Sequence, residues 1–96
     1  MQKKQIENVG TVLYQFLRQE GLETPYNEYR LVQAWPEVVG KAIAAKTTEC
    51  YIRSRVLYVR ILSSVIRNEL RLNRRALVQR MNTHVAAQVI DDIHFL

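Results

Sequence analysis

The residues from Glu49 to Ile61 constrain the fold most, because polar and apolar side chains alternate through two adjacent segments. With Ser54-Arg55 at the centre of a turn, one antiparallel register brings matching residues together on both faces. The predicted pairs are Ile52 with Leu57, Cys50 with Val59, Tyr51 with Tyr58, and Glu49 with Arg60. This agreement predicts a β-hairpin. Because a two-residue turn prefers Asn-Gly or a similar pair, we expect a looser loop at the tip.

A long amphipathic helix is predicted directly after the hairpin, over residues 65–82, with Ser63 or Ser64 as its N-cap. The apolar side chains that form its buried stripe are Ile66, Leu70, Leu77 and Met81. One flank of the same helix carries Arg67, Arg71, Arg74 and Arg75. Beyond it, Val89 to Leu96 is predicted to form the last strand, with Ile93 and Phe95 on one face and His94 on the other.

The first half of the chain is predicted to be helical. Apolar residues three and four positions apart predict a first helix over about residues 5–20, whose stripe belongs to the core. The residues of this stripe are Ile6, Val9, Leu13, Phe16 and Leu17. A second helix is expected from Asn27 to Trp35, followed by a break or restart at Pro36, since proline supplies no amide hydrogen. Helical turns are expected to continue to residue 46.

These elements follow one another in the order α-α-β-β-α-β. A three-stranded sheet that is covered on one face by the helices would bury every apolar stripe named above. The sequence therefore predicts an α+β fold, and its 96 residues predict one domain that spans residues 1–96.

The net charge of +5 is unevenly distributed along the chain. Residues 1–50 contain six bases and six acids, whereas residues 51–96 contain eight arginines, no lysine and three acids. This distribution indicates a polyanionic partner, although a solvated basic face would have the same composition. The only cysteine, Cys50, excludes an intramolecular disulfide. No apolar run reaches the roughly 18–20 residues of a membrane span and no signal-peptide pattern opens the chain, so we expect a cytoplasmic protein without a membrane partner.

The sequence offers no constellation typical of a catalytic or cofactor site. The glycines are scattered and form neither a GxGxxG pattern nor a P-loop. Asp91 and Asp92 would point to opposite faces of a strand, and His84 and His94 have no third metal ligand nearby in sequence. We therefore expect a protein that is not an enzyme and that carries no cofactor and no metal.

Two surfaces are candidates for binding nucleic acid. The first is the arginine flank of the long helix, Arg67, Arg71, Arg74 and Arg75, whose spacing suits a phosphate backbone. The second is the polar face of the hairpin, where aromatic rings alternate with arginines: Tyr51, Arg53, Tyr58 and Arg60, with Arg55 at the tip. Such rings can stack on bases. Cross-strand tyrosine pairs also stabilise hairpins without any ligand, and this alternative stays open.

Several short patterns together resemble the DciA-like family, formerly a domain of unknown function, over roughly residues 31–96. They are Leu31-x-x-x-Trp35-x-x-Val38-Val39-Gly40-x-x-Ile43-Ala44-x-x-Thr47, Leu57-x-Val59, Ser63-Ser64-x-x-x-Asn68-Glu69-Leu70 and Asp92-Ile93-x-Phe95. The resemblance implies a KH-like α-β-β-α-β core in a bacterial protein that binds DNA and assists loading of the replicative helicase. It also implies that Trp35, Val39, Gly40, Leu57, Val59, Leu70 and Ile93 are core positions.

The sequence and the resemblance together predict a non-enzymatic domain that binds nucleic acid, with DNA, single- or double-stranded, as the expected ligand, and that acts with the replicative helicase. The GxxG loop through which KH domains clamp nucleotides is absent, so binding is expected to depend on contacts from arginine to phosphate. Two alternatives stay open. The chain could be a protein-interaction module that offers an edge strand of its sheet, or an RNA-binding KH-like protein.

Overall fold

The predicted hairpin forms the centre of the structure, a computed structural model that describes the backbone of residues 2–96 and the side chains from Gly10 onward. The helices are α1 (Gln2–Gln19), α2 (Glu23–Val39), α3 (Lys41–Ala45), α4 (Ser64–Leu72) and α5 (Arg74–Val85). The strands are β1 (Thr47–Arg53), β2 (Val56–Ile61) and β3 (Asp92–Phe95). The α+β class and the element order are confirmed, while the KH-like likeness stays a prediction.

The register of the hairpin is the predicted one, with Cys50 opposite Val59, Tyr51 opposite Tyr58 and Ile52 opposite Leu57. At the tip the expectation of a looser loop was wrong. Arg53 pairs with Val56, and the two residues between them form a tight turn with φ values of 51° at Ser54 and 65° at Arg55. Two consecutive positive φ values are typical of the type I′ turn, which matches the twist of the flanking strands.

Contacts made by Arg55 account for this turn. Its guanidinium forms two hydrogen bonds with the Asp91 carboxylate, of 2.9 and 3.0 Å, and a third with the Gln88 carbonyl at 3.2 Å. The Asp91 amide donates back to the Arg55 carbonyl at 2.8 Å. These bonds hold a non-glycine residue in the left-handed region, where it is otherwise disfavoured.

We expect Ser54→Asn to raise the free energy of unfolding by about 0.5 kcal/mol, because asparagine tolerates a positive φ better than serine. The Arg55 contacts are unaffected by this change. Urea unfolding would show the gain as a higher midpoint at constant slope. Ser64→Asn, in the right-handed first turn of α4, is the matched control and should not stabilise. A gain at both positions, or at neither, would contradict the argument.

The third strand completes the sheet in the order β1-β2-β3. It runs parallel to β2, so that Leu57 lies beside Ile93 and Val59 beside Phe95. It starts at Asp92 rather than at the predicted Val89, because the preceding residues turn into the core as a loop. Side chains on the inner face of β2 and β3 are buried against α2 and α5: Leu57, Val59, Ile61, Ile93 and Phe95.

One buried side chain organises the loop before β3. The Asn82 amide nitrogen donates to the Ile90 carbonyl at 2.9 Å, and its Oδ1 accepts from the amides of Val89 (2.9 Å) and Ile90 (3.1 Å). Asn82 is the only buried polar residue among those described. Its three bonds satisfy backbone groups that no helix or strand satisfies.

The second helix differs from the prediction at both ends. It begins at Glu23 rather than Asn27 and passes through Pro36 to Val39. Pro36 removes one helical hydrogen bond, and burial of Leu31, Ala34 and Trp35 on the same helix outweighs that loss. Trp35 has the predicted core position, and its indole nitrogen donates to Thr47 Oγ1 at 3.0 Å.

The expected burial of the α1 stripe was wrong for two of the three described members. Leu17 is buried at 9% exposure, but Leu13 and Phe16 are each 51% exposed. Helix α1 packs on α2, and this contact leaves Leu13 and Phe16 about half exposed to solvent. The side chains of Ile6 and Val9 lie outside the described residues.

The thiol of Cys50 lies half-buried on the inner side of β1, packed against the core. Burial raises its pKa from 9.0 to about 11. Since the folded pKa is the higher one, this group contributes stability below pH 9 and loses it as the pH rises through 11.

We expect iodoacetamide to modify Cys50 at pH 8 roughly 100-fold more slowly in the folded protein than in denaturant, because the thiolate is the reactive species. Mass spectrometry of timed samples would measure both rates. Equal rates under the two conditions would contradict the burial argument. A short thiol peptide kept in the same denaturant controls for the effect of denaturant on the reagent itself.

Candidate nucleic-acid interface

The long helix predicted over residues 65–82 is two helices that meet at Asn73. The Asn73 amide donates to the Leu70 carbonyl at 3.1 Å, and its side-chain nitrogen donates to the Glu69 carbonyl at 3.0 Å. An asparagine that satisfies the last carbonyls of a helix ends it. The prediction of one continuous helix was therefore wrong. The predicted cap is Ser63, whose Oγ accepts from the Ile66 amide at 3.3 Å.

The turn at Asn73 brings three of the predicted arginines together. Arg71 lies in the last turn of α4, and Arg74 and Arg75 are the first two residues of α5. With Leu72, Asn73 and Ala76 they line a shallow surface pocket of about 280 Å³. We call residues 71–76 the α4–α5 corner. The amides of the first turn of α5 receive no side-chain cap, so their positive dipole end adds to the arginine charge there.

The fourth arginine of the predicted flank, Arg67, lies one turn earlier on α4. Its guanidinium is half-buried and donates to the Ile61 carbonyl at 3.0 Å. This bond connects the start of α4 to the end of β2. Neither Arg71 nor Arg75 has such a bond to the sheet.

The charges at the corner are only partly compensated. Arg74 Nε lies 3.0 Å from Asp92 Oδ1 in an exposed ion pair, which contributes little to stability and is easily exchanged. Arg71 donates to the neutral Asn68 side chain at 3.1 Å. Arg75 has no hydrogen bond or ion pair to any described residue. Two of the three corner guanidinium groups therefore have no carboxylate partner within the described part of the chain.

Two of the hairpin arginines are paired with carboxylates. The hydrogen bonds from Arg55 lower the pKa of the Asp91 carboxyl, so that pair persists to lower pH. Arg60 Nε lies 3.2 Å from Glu49 Oε2 across the strands, as the register predicted. Arg53 is exposed and has no such partner among the described side chains. The hairpin thus offers less uncompensated charge than the corner.

The tyrosines of the hairpin contact each other on the exposed face of the sheet. The rings of Tyr51 and Tyr58 are stacked, with centroids 5.2 Å apart and planes 11° apart. His94 packs edge-on against Tyr58 at 5.6 Å, which extends the aromatic row over all three strands. The facing sides of the tyrosines are occupied, so this geometry favours their role in stabilising the hairpin. His94 was not among the predicted site residues. The sequence placed it on the face of β3 opposite Ile93 and Phe95, but it did not show that β3 pairs with β2 and brings His94 beside Tyr58.

A second depression lies between α2 and α5, and its lining includes none of the three corner arginines. It has a volume of about 530 Å³ and includes Glu37, Arg80 and His84 in its lining. His84 Nε2 is 2.8 Å from Glu37 Oε2, and Arg80 donates to the Val38 carbonyl at 2.7 Å. These contacts join the two helices. Within the described part of the chain, no three His, Cys, Asp or Glu side chains come together as metal ligands would.

Comparison with known proteins places the chain in one family. Across the described residues no helix is both long and apolar enough to cross a membrane. No curated protein matches the sequence significantly. The model of the family described as "Dna[CI] antecedent, DciA" matches residues 8–95, which is nearly the whole chain and includes α2, the sheet and the α4–α5 corner. The chain belongs to the DciA family.

Proposed function

We propose that this protein binds nucleic acid through the α4–α5 corner, with DNA as the principal ligand. We propose further that it binds DNA while it acts with the replicative helicase. The DciA family is associated with loading of that helicase in DNA replication and is not a known enzyme family. The observation that carries the proposal is the grouping of Arg71, Arg74 and Arg75 at the junction of α4 and α5. Of these three, only Arg74 has a carboxylate partner among the described residues.

The chemistry of the corner suits a phosphate backbone. Guanidinium groups donate in a planar fork that matches two phosphate oxygens, and arginine stays charged at any physiological pH. Arg71 and Arg75 would bind phosphates directly. Arg74 would exchange its exposed contact with Asp92 for a phosphate, at little cost. Such contacts carry no base information, so sequence preference is expected to be weak.

The other predicted site residues have secondary roles in this proposal. Arg53 would add positive charge at the end of β1, and Arg67 would add it on α4, one turn before Arg71. Arg55 and Arg60 would contribute only by leaving their carboxylates, and Tyr51 could stack on a base only with the side turned away from Tyr58. With DNA and the helicase as partners, the proposed place of action is the cytoplasm.

Binding is tested by fluorescence-anisotropy titration of labelled single-stranded DNA, duplex DNA and RNA over a range of salt concentrations. We expect the affinity to fall steeply with salt. Three phosphates bound would give a log–log slope of roughly −2.1 for single strands or −2.7 for duplex. A preference for RNA would support the RNA-binding alternative. No binding of any of the three at low salt would overturn the proposal.

Protein docking is the second candidate function, and the uncovered side of α1 favours it. Val12 is exposed together with Leu13 and Phe16, so three large apolar side chains face solvent on one helix. A complex with the replicative helicase that survives nuclease treatment and high salt would support direct protein contact. A complex that is lost under both treatments would show that nucleic acid bridges the two proteins.

A further inference from the structure

Leu72 is an apolar side chain that the core does not explain. It is 86% exposed, the most of any large apolar side chain described. The inner face of α4 is supplied by Ile66 and Leu70, which pack against the core. Leu72 lies on the opposite side of the helix, so its exposure has no role in folding that the structure shows.

The surroundings of Leu72 are cationic, and the backbone beside it is held by hydrogen bonds. It lines the same shallow pocket as Arg71, Arg74 and Arg75. The two bonds of Asn73 to the Leu70 and Glu69 carbonyls hold the backbone immediately after it. Because the backbone is already held there, binding of a ligand has to order only the side chains of Leu72 and its neighbours. The ligand that matches it must offer negative charge and an apolar surface close together.

We propose that Leu72 packs against the face of an unpaired nucleobase while the neighbouring arginines hold the phosphates of the same strand. This inference rests on the proposed function and specifies its ligand as a single strand. Each nucleotide carries its phosphate and its base next to each other, as the corner requires. In a duplex both faces of every base are covered by stacking, so a side chain reaches a face only where a base is unstacked.

The experiment compares two labelled ligands of equal length and charge, a single-stranded oligothymidine and an abasic phosphodiester strand. The wild type is expected to bind the oligothymidine roughly 5- to 10-fold more tightly, as one aliphatic contact would give. Leu72→Ser should remove this preference and leave the dependence of affinity on salt unchanged. Leu72→Phe should increase the preference, because an aromatic ring stacks on a base more strongly.

Two matched variants separate the contact from general effects. Val65→Ser also removes an apolar side chain, 71% exposed and two turns away on α4, and should keep the preference. Arg75→Gln should weaken binding to both ligands and lower the salt slope while keeping the preference. These two results would confine base contact to Leu72 and phosphate contact to the arginine.

The proposal is overturned if the wild type binds both strands equally, or if Leu72→Ser keeps the preference. Loss of helicase binding in Leu72→Ser with an unchanged base preference would assign the side chain to protein docking instead. A failure of the wild type to bind either strand would overturn the proposed function as well. Binding without base dependence would overturn only the contact made by Leu72.

Discussion

Replacing Asn82 by alanine is expected to lower the free energy of unfolding by about 3 kcal/mol or more. The change leaves two buried amides, of Val89 and Ile90, without partners, and it leaves the Ile90 carbonyl with only a long hydrogen bond of 3.5 Å from Gln88 Nε2. Each unsatisfied buried group costs about 1–3 kcal/mol, and the relaxation of the loop recovers part of the sum. A domain of this size has a total stability of about 5–15 kcal/mol, so the loss is a large fraction of it.

Urea unfolding followed by circular dichroism would measure the change, with Asn68→Ala as the matched control. Asn68 is exposed and accepts a single hydrogen bond, from Arg71. Its replacement should therefore cost less than about 0.5 kcal/mol. Similar losses for the two variants would show that the loop before β3 does not depend on the Asn82 side chain.

The hairpin could be predicted because its register is encoded twice, once on each face of the strands. A shift by one residue would have separated Tyr51 from Tyr58 and turned Cys50 away from the core. The conformation of its tip could not be predicted in the same way. The contacts that hold Arg55 come from Asp91, 36 residues later, and turn propensities describe only the local chain.

The break at Asn73 was hidden by the spacing of the core residues. Leu70 and Leu77 are seven positions apart, which is close to two helical turns. The apolar spacing of α4 and α5 is therefore the spacing that one continuous helix would have. The visible signal was Asn73 itself, a residue that competes for backbone hydrogen bonds. Asn82 carries the same signal, and its partners lie in a segment that the pattern placed in a strand.

The candidate site was predictable as a composition but not as a shape. The concentration of arginine after residue 50 was visible in the sequence. Which arginines are free depends on the positions of Asp91, Asp92 and Glu49, and these follow from the tertiary fold. The exposure of Leu72 could not be predicted either. The sequence placed this residue in the middle of one long helix, whereas its side chain faces solvent at the end of α4.

Replacing both Arg71 and Arg75 by glutamine is expected to lower the affinity for DNA roughly 25- to 60-fold at about 0.1 M salt. Each lost phosphate contact removes roughly 0.7 from the salt slope for a single strand, or 0.9 for a duplex. The double variant should therefore have a slope shallower by roughly 1.4–1.8, and its affinity should approach that of the wild type as the salt concentration rises. Anisotropy titration at several salt concentrations measures both quantities, and circular dichroism checks that the variant is folded.

Arg18→Gln with Arg30→Gln is the matched control, because it lowers the net charge of +5 by the same amount on α1 and α2. If the corner binds phosphates, this control should lose less than about threefold in affinity and keep the salt slope of the wild type, since distant charges are screened at this salt concentration. Equal losses in the two double variants would mean that DNA is attracted by the overall charge alone. In that case the corner would have no particular role, and the contact proposed for Leu72 would lose its basis.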